Sequence, residues 1–285
     1  MKEQNKIIGN PGEGKQIPRL LKQAGEDSIV KEVLAGDVIE VPEGIEKIIL
    51  YNGEWGESFW CGYRNGAITR GKNTEYTAHT IDGRHVELCR KLFPSTDNRK
   101  GYGNGLIIRD RGTFTAYRDD ETQGRLYNGI FHDDWSWQGY GNGMIIRQEG
   151  VFIAMREDKK PICLYSKIHG EFDVNKDSWL GYGNGLLIIK DHVITAYPEE
   201  GDPIKLYEGD MHVTLGGYGK GVIVQVESKV TAYDEDGKET LLFDGGKEFW
   251  DDTWIGTNRF DIQGFKDGLI VRRGKVFTAC RPKEK

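Results

Sequence analysis

Six short apolar runs recur along the chain: Ala67-Ile68, Leu106-Ile107-Ile108, Met144-Ile145-Ile146, Leu186-Leu187-Ile188, Val222-Ile223-Val224 and Leu269-Ile270-Val271. Each follows a glycine, and none alternates with polar residues, the pattern of a strand buried on both faces. A tight turn comes next, such as Arg111-Gly112, Glu149-Gly150 or Arg273-Gly274, and then a segment that alternates small and large residues around an alanine. Because glycine accepts the positive φ of a tight turn, each pair reads as a β-hairpin. A second polar turn, such as Asp82-Gly83, Glu200-Gly201 or Asp236-Gly237, leads into a Leu-Tyr strand. The unit is thus at least three antiparallel strands, and the segment between units can supply a fourth.

The spacing within the unit is rigid. Its closing glycines are Gly66, Gly105, Gly143, Gly185, Gly221 and Gly268, and its alanines Ala78, Ala116, Ala154, Ala196, Ala232 and Ala279. Ten residues separate each of the first five alanines from a leucine, at Leu88, Leu126, Leu164, Leu206 and Leu242. The sixth unit lacks this last strand, whereas Leu50-Tyr51 stands ahead of the first unit with no hairpin of its own. That circular offset predicts a closed ring in which residues 46–53 complete the unit that begins at Gly268. Roughly 40 residues per unit suits a four-stranded propeller blade. The expected fold is all-β, a six-bladed β-propeller over 46–285 closed by an N-terminal strand, with a partly helical extension over 1–45. Two β-trefoils of three repeats each are the alternative, although they leave the offset without a purpose.

Composition narrows the function. A net charge of −6 across 285 residues offers no broad positive field, which disfavours a nucleic-acid partner. No apolar stretch is long enough to span a membrane, and the N-terminus shows no ordinary secretion signal, so the expected location is cytoplasmic, or outside after release by another route. The cysteines Cys61, Cys89, Cys163 and Cys280 form no Cys-x-x-Cys pair and read as free thiols. Neither a metal nor a cofactor is expected, and His132 beside Asp133 is the one histidine worth testing as a ligand.

Two sets of residues are candidates for binding. The turn motif Gly-aromatic-Gly-polar-Gly carries Asn104, Asn142 and Asn184 next to tyrosines, which would give equivalent polar sites around a ring if it is more than scaffold. All seven tryptophans lie in the variable segments between units. Trp60, Trp137 and Trp179 share one repeat position, six residues before a closing glycine, whereas Trp55, Trp135, Trp250 and Trp254 share none. Acids accompany several: Asp133 and Asp134 precede Trp135, Asp177 lies near Trp179, and Asp252 near Trp254. An exposed indole can stack on a sugar ring while a carboxylate accepts hydrogen bonds from its hydroxyls. The competing reading has the tryptophans covering outer strands.

In period, offset and loop aromatics, residues 46–285 resemble propeller proteins with lectin-like repeats. The resemblance implies a shallow site assembled from aromatic and amide groups of the blades. The expected function is therefore noncatalytic recognition of a glycan or a protein surface by the variable segments. A structural or docking component of a larger phage-like or bacterial assembly is the alternative. A glycoside-processing enzyme comes third, since no pair of acids stands out as general acid and nucleophile.

Overall fold

The structure is a computed structural model that describes residues 39, 41–53, 59–71, 75–90, 99–132, 135–157, 160–209, 213–244 and 260–283. The extension expected to be partly helical falls outside them, apart from residues 39 and 41–45. The described strands form six four-stranded antiparallel sheets. The strands nearest the ring axis are Trp60–Tyr63, Arg99–Tyr102, Ser136–Tyr140, Ser178–Tyr182, Val213–Tyr218 and Phe260–Phe265 for blades 1 to 6, each the first strand of its sheet in the chain except in blade 6. These inner strands neighbour one another in order, and the sixth returns to the first. The fold is a six-bladed β-propeller.

Blade 6 closes the ring as the offset predicts. Its fourth strand is Ile45–Asn52, antiparallel to Val276–Pro282, with Ile48 opposite Ala279. The strand begins one residue earlier than expected, where Ile45 buries into the core between blades 5 and 6. A register shift at Leu50 leaves that residue bulged between Ile49, opposite Thr278, and Tyr51, opposite Phe277. The same bulge falls at Leu88, Leu126, Leu164, Leu206 and Leu242. One extra residue per outer strand kinks it locally. Leu50 is thereby identified as the sixth leucine of the repeat.

Burial explains the frame. Leu106, Ile107 and Ile108 are all essentially inaccessible, and so are their equivalents in other blades, because both faces of the second strand pack against neighbouring blades. Each fully buried side chain of this kind contributes about 1.5–3 kcal/mol. The repeat alanine always faces the middle of the apolar run, as in Ile107 opposite Ala116 and Ile145 opposite Ala154, so small packs beside large.

The first glycine of each turn motif has a more exacting reason. A Cβ on Gly101 would overlap the carbonyl oxygen of Gly62, one on Gly139 that of Gly101, and so round to Gly62 against Gly264. The inner strands meet backbone to backbone in an unbroken girdle of six glycines.

Candidate functional site

Antiparallel order places the variable segments at one end of the axial channel and the Gly-aromatic-Gly-polar-Gly turns at the other. Trp135 and Asn142 flank the five-residue strand Ser136–Tyr140, so roughly 16 Å of extended chain separates them. The two candidate sets read from the sequence therefore occupy opposite ends and do not form one site. Trp55, Trp250, Trp254, Asp133, Asp134 and Asp252 lie outside the described residues.

At the segment end, the shared tryptophan position packs between blades. Trp60 meets Phe277 of blade 6 edge-on at 5.3 Å, Trp137 meets Phe114 at 5.1 Å, and Trp179 meets Phe152 at 5.1 Å. Blade 2 has Arg99 at that position, buried over the rings of Phe59 and Tyr76 and donating to the Tyr76 hydroxyl. Blade 6 has Ile262, facing a core that contains Val230. The partner thus varies with the residue inserted. Trp135 stands apart: half-buried, it lies edge-on to Phe131 at 5.5 Å and beside the His132 ring at 5.0 Å. Asp177 is buried and organises its own loop, accepting the Asp173 amide at 2.8 Å.

At the other end the asparagines are tied to acids of the next blade. Tyr102 donates its hydroxyl to Glu157 at 2.6 Å, Asn104 donates its amide at 3.4 Å, and Arg118 donates to both carboxylate oxygens at 3.0 and 3.1 Å. Tyr140, Asn142 and Arg156 hold Glu199 in the same way, at 2.7, 3.1 and 3.1 Å. Tyr182 and Asn184 hold Glu235 at 2.5 and 2.9 Å, and Tyr63 and Asn65 hold Asp119 at 3.3 and 2.8 Å. Burial raises the phenol pKa of each of these tyrosines, and the accepting carboxylate raises it further. They remain protonated donors. Burial alone would raise the Glu199 carboxyl, but the donors from Tyr140, Asn142 and Arg156 outweigh it and hold it below the usual range.

This clasp spans four seams and is replaced at the other two. Between blades 6 and 1, Phe265 takes the tyrosine position and Ile81 the acid position, both within one apolar cluster. Between blades 5 and 6, Tyr218 remains, but Lys220 replaces the asparagine and Pro282 the acid. The clasp acids were missed from sequence because each looks like an ordinary turn residue. The signal was available: every acid stands three residues after its alanine, and Phe265 pairs with the one isoleucine there.

Along the axis runs a cavity of about 1160 Å³, lined by all six inner strands. The residue before each girdle glycine lines it, and here the repeat is not conserved in kind: Cys61, Lys100, Gln138, Leu180, Gly216 and Gln263. Gln263 uses its carbonyl to accept the Gly62 amide at 2.8 Å, bridging the closure seam. Burial pushes the Cys61 thiol up to about 12, so it stays protonated. Among the described residues, no group of three His, Cys, Asp or Glu is placed to hold a metal, and no helix is long and apolar enough to cross a membrane.

No protein-family model matches the chain, and no curated protein matches it in sequence. Among solved structures it is similar to virginiamycin B lyase from Staphylococcus aureus. A catalytically inactive variant of that enzyme with quinupristin is 8% identical, with 84% of this chain and 82% of that one covered and a TM-score of 0.44. Its selenomethionine form is 9% identical, with 85% and 99% covered and a TM-score of 0.42. A protein provisionally named gluconolactonase is 13% identical, with 86% and 94% covered and a TM-score of 0.46.

Proposed function

We propose that this protein is a noncatalytic recognition protein that takes a glycan at its axial cavity. The observation that carries this reading is the contrast between frame and lining. Residues that build the blades repeat or change in matched pairs, whereas the six cavity-facing positions differ in chemistry at equivalent places. Packing explains the first set; within the second, Gln263 bridges the closure seam and Cys61 is buried in a blade core, which leaves Lys100 and Gln138 as the polar side chains offered to a ligand. Amide and ammonium groups at Gln138 and Lys100 suit a polyhydroxylated molecule, and the cavity, a little above the usual size of small-ligand sites, has room for an oligosaccharide.

Glycan-array screening followed by calorimetry tests this. Gln138→Ala and Lys100→Ala should each weaken binding about tenfold or more if they hydrogen-bond ligand, while Trp135→Ala leaves it unchanged. Loss on Trp135→Ala alone would return the site to the variable segments. Hydrolysis of a bound oligosaccharide would overturn the noncatalytic reading.

One observation favours a second reading, a docking component. Ile130 and Ile168, on the segments after the outer strands of blades 2 and 3, are 76% and 89% exposed. A protein partner lying across both segments would bury these two separate side chains. A stable protein complex lost on Ile168→Asp, with no glycan bound, would support it.

A further inference from the structure

We propose that the turn end of the cavity, at blades 5, 6 and 1, binds an oxyanion, the carboxylate or sulfate of an acidic sugar. The proposal rests on the glycan reading above and specifies its ligand.

Charge sign is the first observation. The protein is acidic overall at −6, yet eight Lys and Arg and only two Asp, Asp234 and Asp267, line the cavity; Arg99 lies buried at the segment end and Arg281 pairs with Glu46, which leaves six cations against the two acids. A cavity walled by low-dielectric protein focuses such a field.

Position in the repeat is the second. Four blades have glycine between the aromatic and polar residues of the turn, and in each a Cβ would overlap a carbonyl of the next blade. Blades 1 and 6, which adjoin, have Arg64 and Lys266 there instead, both exposed and lining the cavity. Neither has an ion-pair partner among the described residues. Lys220 of blade 5 continues the series in place of asparagine, and its ammonium is 3.5 Å from Asp236. Three consecutive blades thus carry cations where their sisters carry glycine or a clasped amide.

The shape of the cavity is the third. In blades 1 to 4 the lining comes from the inner strand and its turn, with Phe59 just ahead of the blade 1 strand, whereas in blades 5 and 6 it extends to Ala232, Thr240, Leu242 and Pro282. It runs sideways into the seam where Pro282 stands in place of the clasp acid. Ala232 and Leu242, both buried in the core between these blades, form its apolar floor, and Lys238 and Lys283 stand exposed on its rim. A guanidinium and ammonium groups around such a floor match a planar carboxylate or a sulfate.

Calorimetry on the full chain would use a trigalacturonate, the neutral trisaccharide of the same linkage, sodium sulfate and sodium phosphate. Trigalacturonate should bind, and the neutral sugar at least tenfold more weakly. Affinity for trigalacturonate should fall as sodium chloride rises from 50 to 300 mM, because these charges are open to screening. The double variant Arg64→Met, Lys266→Met should lose tenfold or more with an unchanged melting temperature, and Lys266→Arg should retain binding. Should the double variant prove unstable, the neutral-sugar comparison on the wild type decides. Equal affinity for neutral and acidic sugars overturns the anion site and leaves the glycan reading standing. Sulfate or phosphate binding that Lys266→Met abolishes, with no sugar bound, keeps the anion site and overturns the glycan reading. Binding of no probe overturns both.

Discussion

Replacing Glu157 by alanine should cost about 3 kcal/mol of stability, more than its place in a polar turn suggests. The carboxylate receives Tyr102 at 2.6 Å and Arg118 at 3.0 Å, with side-chain exposures of 11% for Glu157 and 19% for Arg118. Breaking a fully buried ion pair costs about 3–5 kcal/mol because the remaining charge is stranded. Water reaching Arg118 reduces that figure, to roughly half, while loss of a charged acceptor for the Tyr102 hydroxyl adds about 1.5 kcal/mol. Urea unfolding followed by tryptophan fluorescence would measure the loss at constant m-value. A double-mutant cycle with Arg118→Met should show coupling above about 1 kcal/mol. The molecule also contains its own apolar solution, Phe265 with Ile81. Tyr102→Phe, Arg118→Met, Glu157→Ile should therefore return to within about 1 kcal/mol of wild type, since a well-packed apolar replacement often equals a buried pair. A cost below about 1 kcal/mol for Glu157→Ala, the level of an ordinary surface pair, would refute the clasp.

Acid should weaken the seam between blades 6 and 1 before it weakens the rest. His79, buried under the Tyr51 ring, shares a 2.7 Å contact between Nδ1 atoms with His85 and receives or donates a 2.8 Å bond at Thr69. Burial, then His85, lowers its pKa from 6.5 to about 3. The unfolded chain therefore binds a proton that the folded chain refuses, and this stability is complete above pH 6.5 and is lost progressively from there towards pH 3. The full loss is on the order of 5 kcal/mol, and His79→Tyr, the residue of three sister blades, should remove that part of the pH dependence in a melting series. Gly139→Ala drives a Cβ into the Gly101 carbonyl and should cost about 3 kcal/mol or more, or yield insoluble protein, as read by soluble expression and melting. Deleting residues 1–53 bares the edge of Val276–Pro282 and should cause aggregation detectable by light scattering; an unchanged melting curve would contradict closure by that strand.

The frame was legible because its demands are local and repeat six times. Glycines sit where no Cβ fits, and apolar triplets where both faces are covered. Closure followed from the displaced Leu50-Tyr51 alone. The candidate site was less legible for two reasons. Spacing placed Trp60, Trp137 and Trp179 at one position, but their burial depends on Phe277, Phe114 and Phe152 in other blades, contacts that one unit's pattern does not contain. The asparagines showed four copies of an amide beside a tyrosine, and only the acid of the following blade reveals that those amides are engaged. Arg64 and Lys266 were visible as departures from glycine, yet their shared sector appears only once the ring places blades 1 and 6 side by side.

Closure by Ile45–Asn52 also orders events during synthesis. The outermost strand of blade 6 is made first among the described strands, and its partner, Val276–Pro282, is made last. Until that partner emerges, an edge strand with Ile48, Ile49 and Leu50 has no native pairing, and blades 1 to 5 can assemble only as an open arc. The final step joins residues more than 200 apart in sequence, such as Ile45 and Pro282, and pays its loop-closure entropy late. Half-made chains, rather than finished rings, are then the species most exposed to misassembly, through exchange of this strand between two arcs.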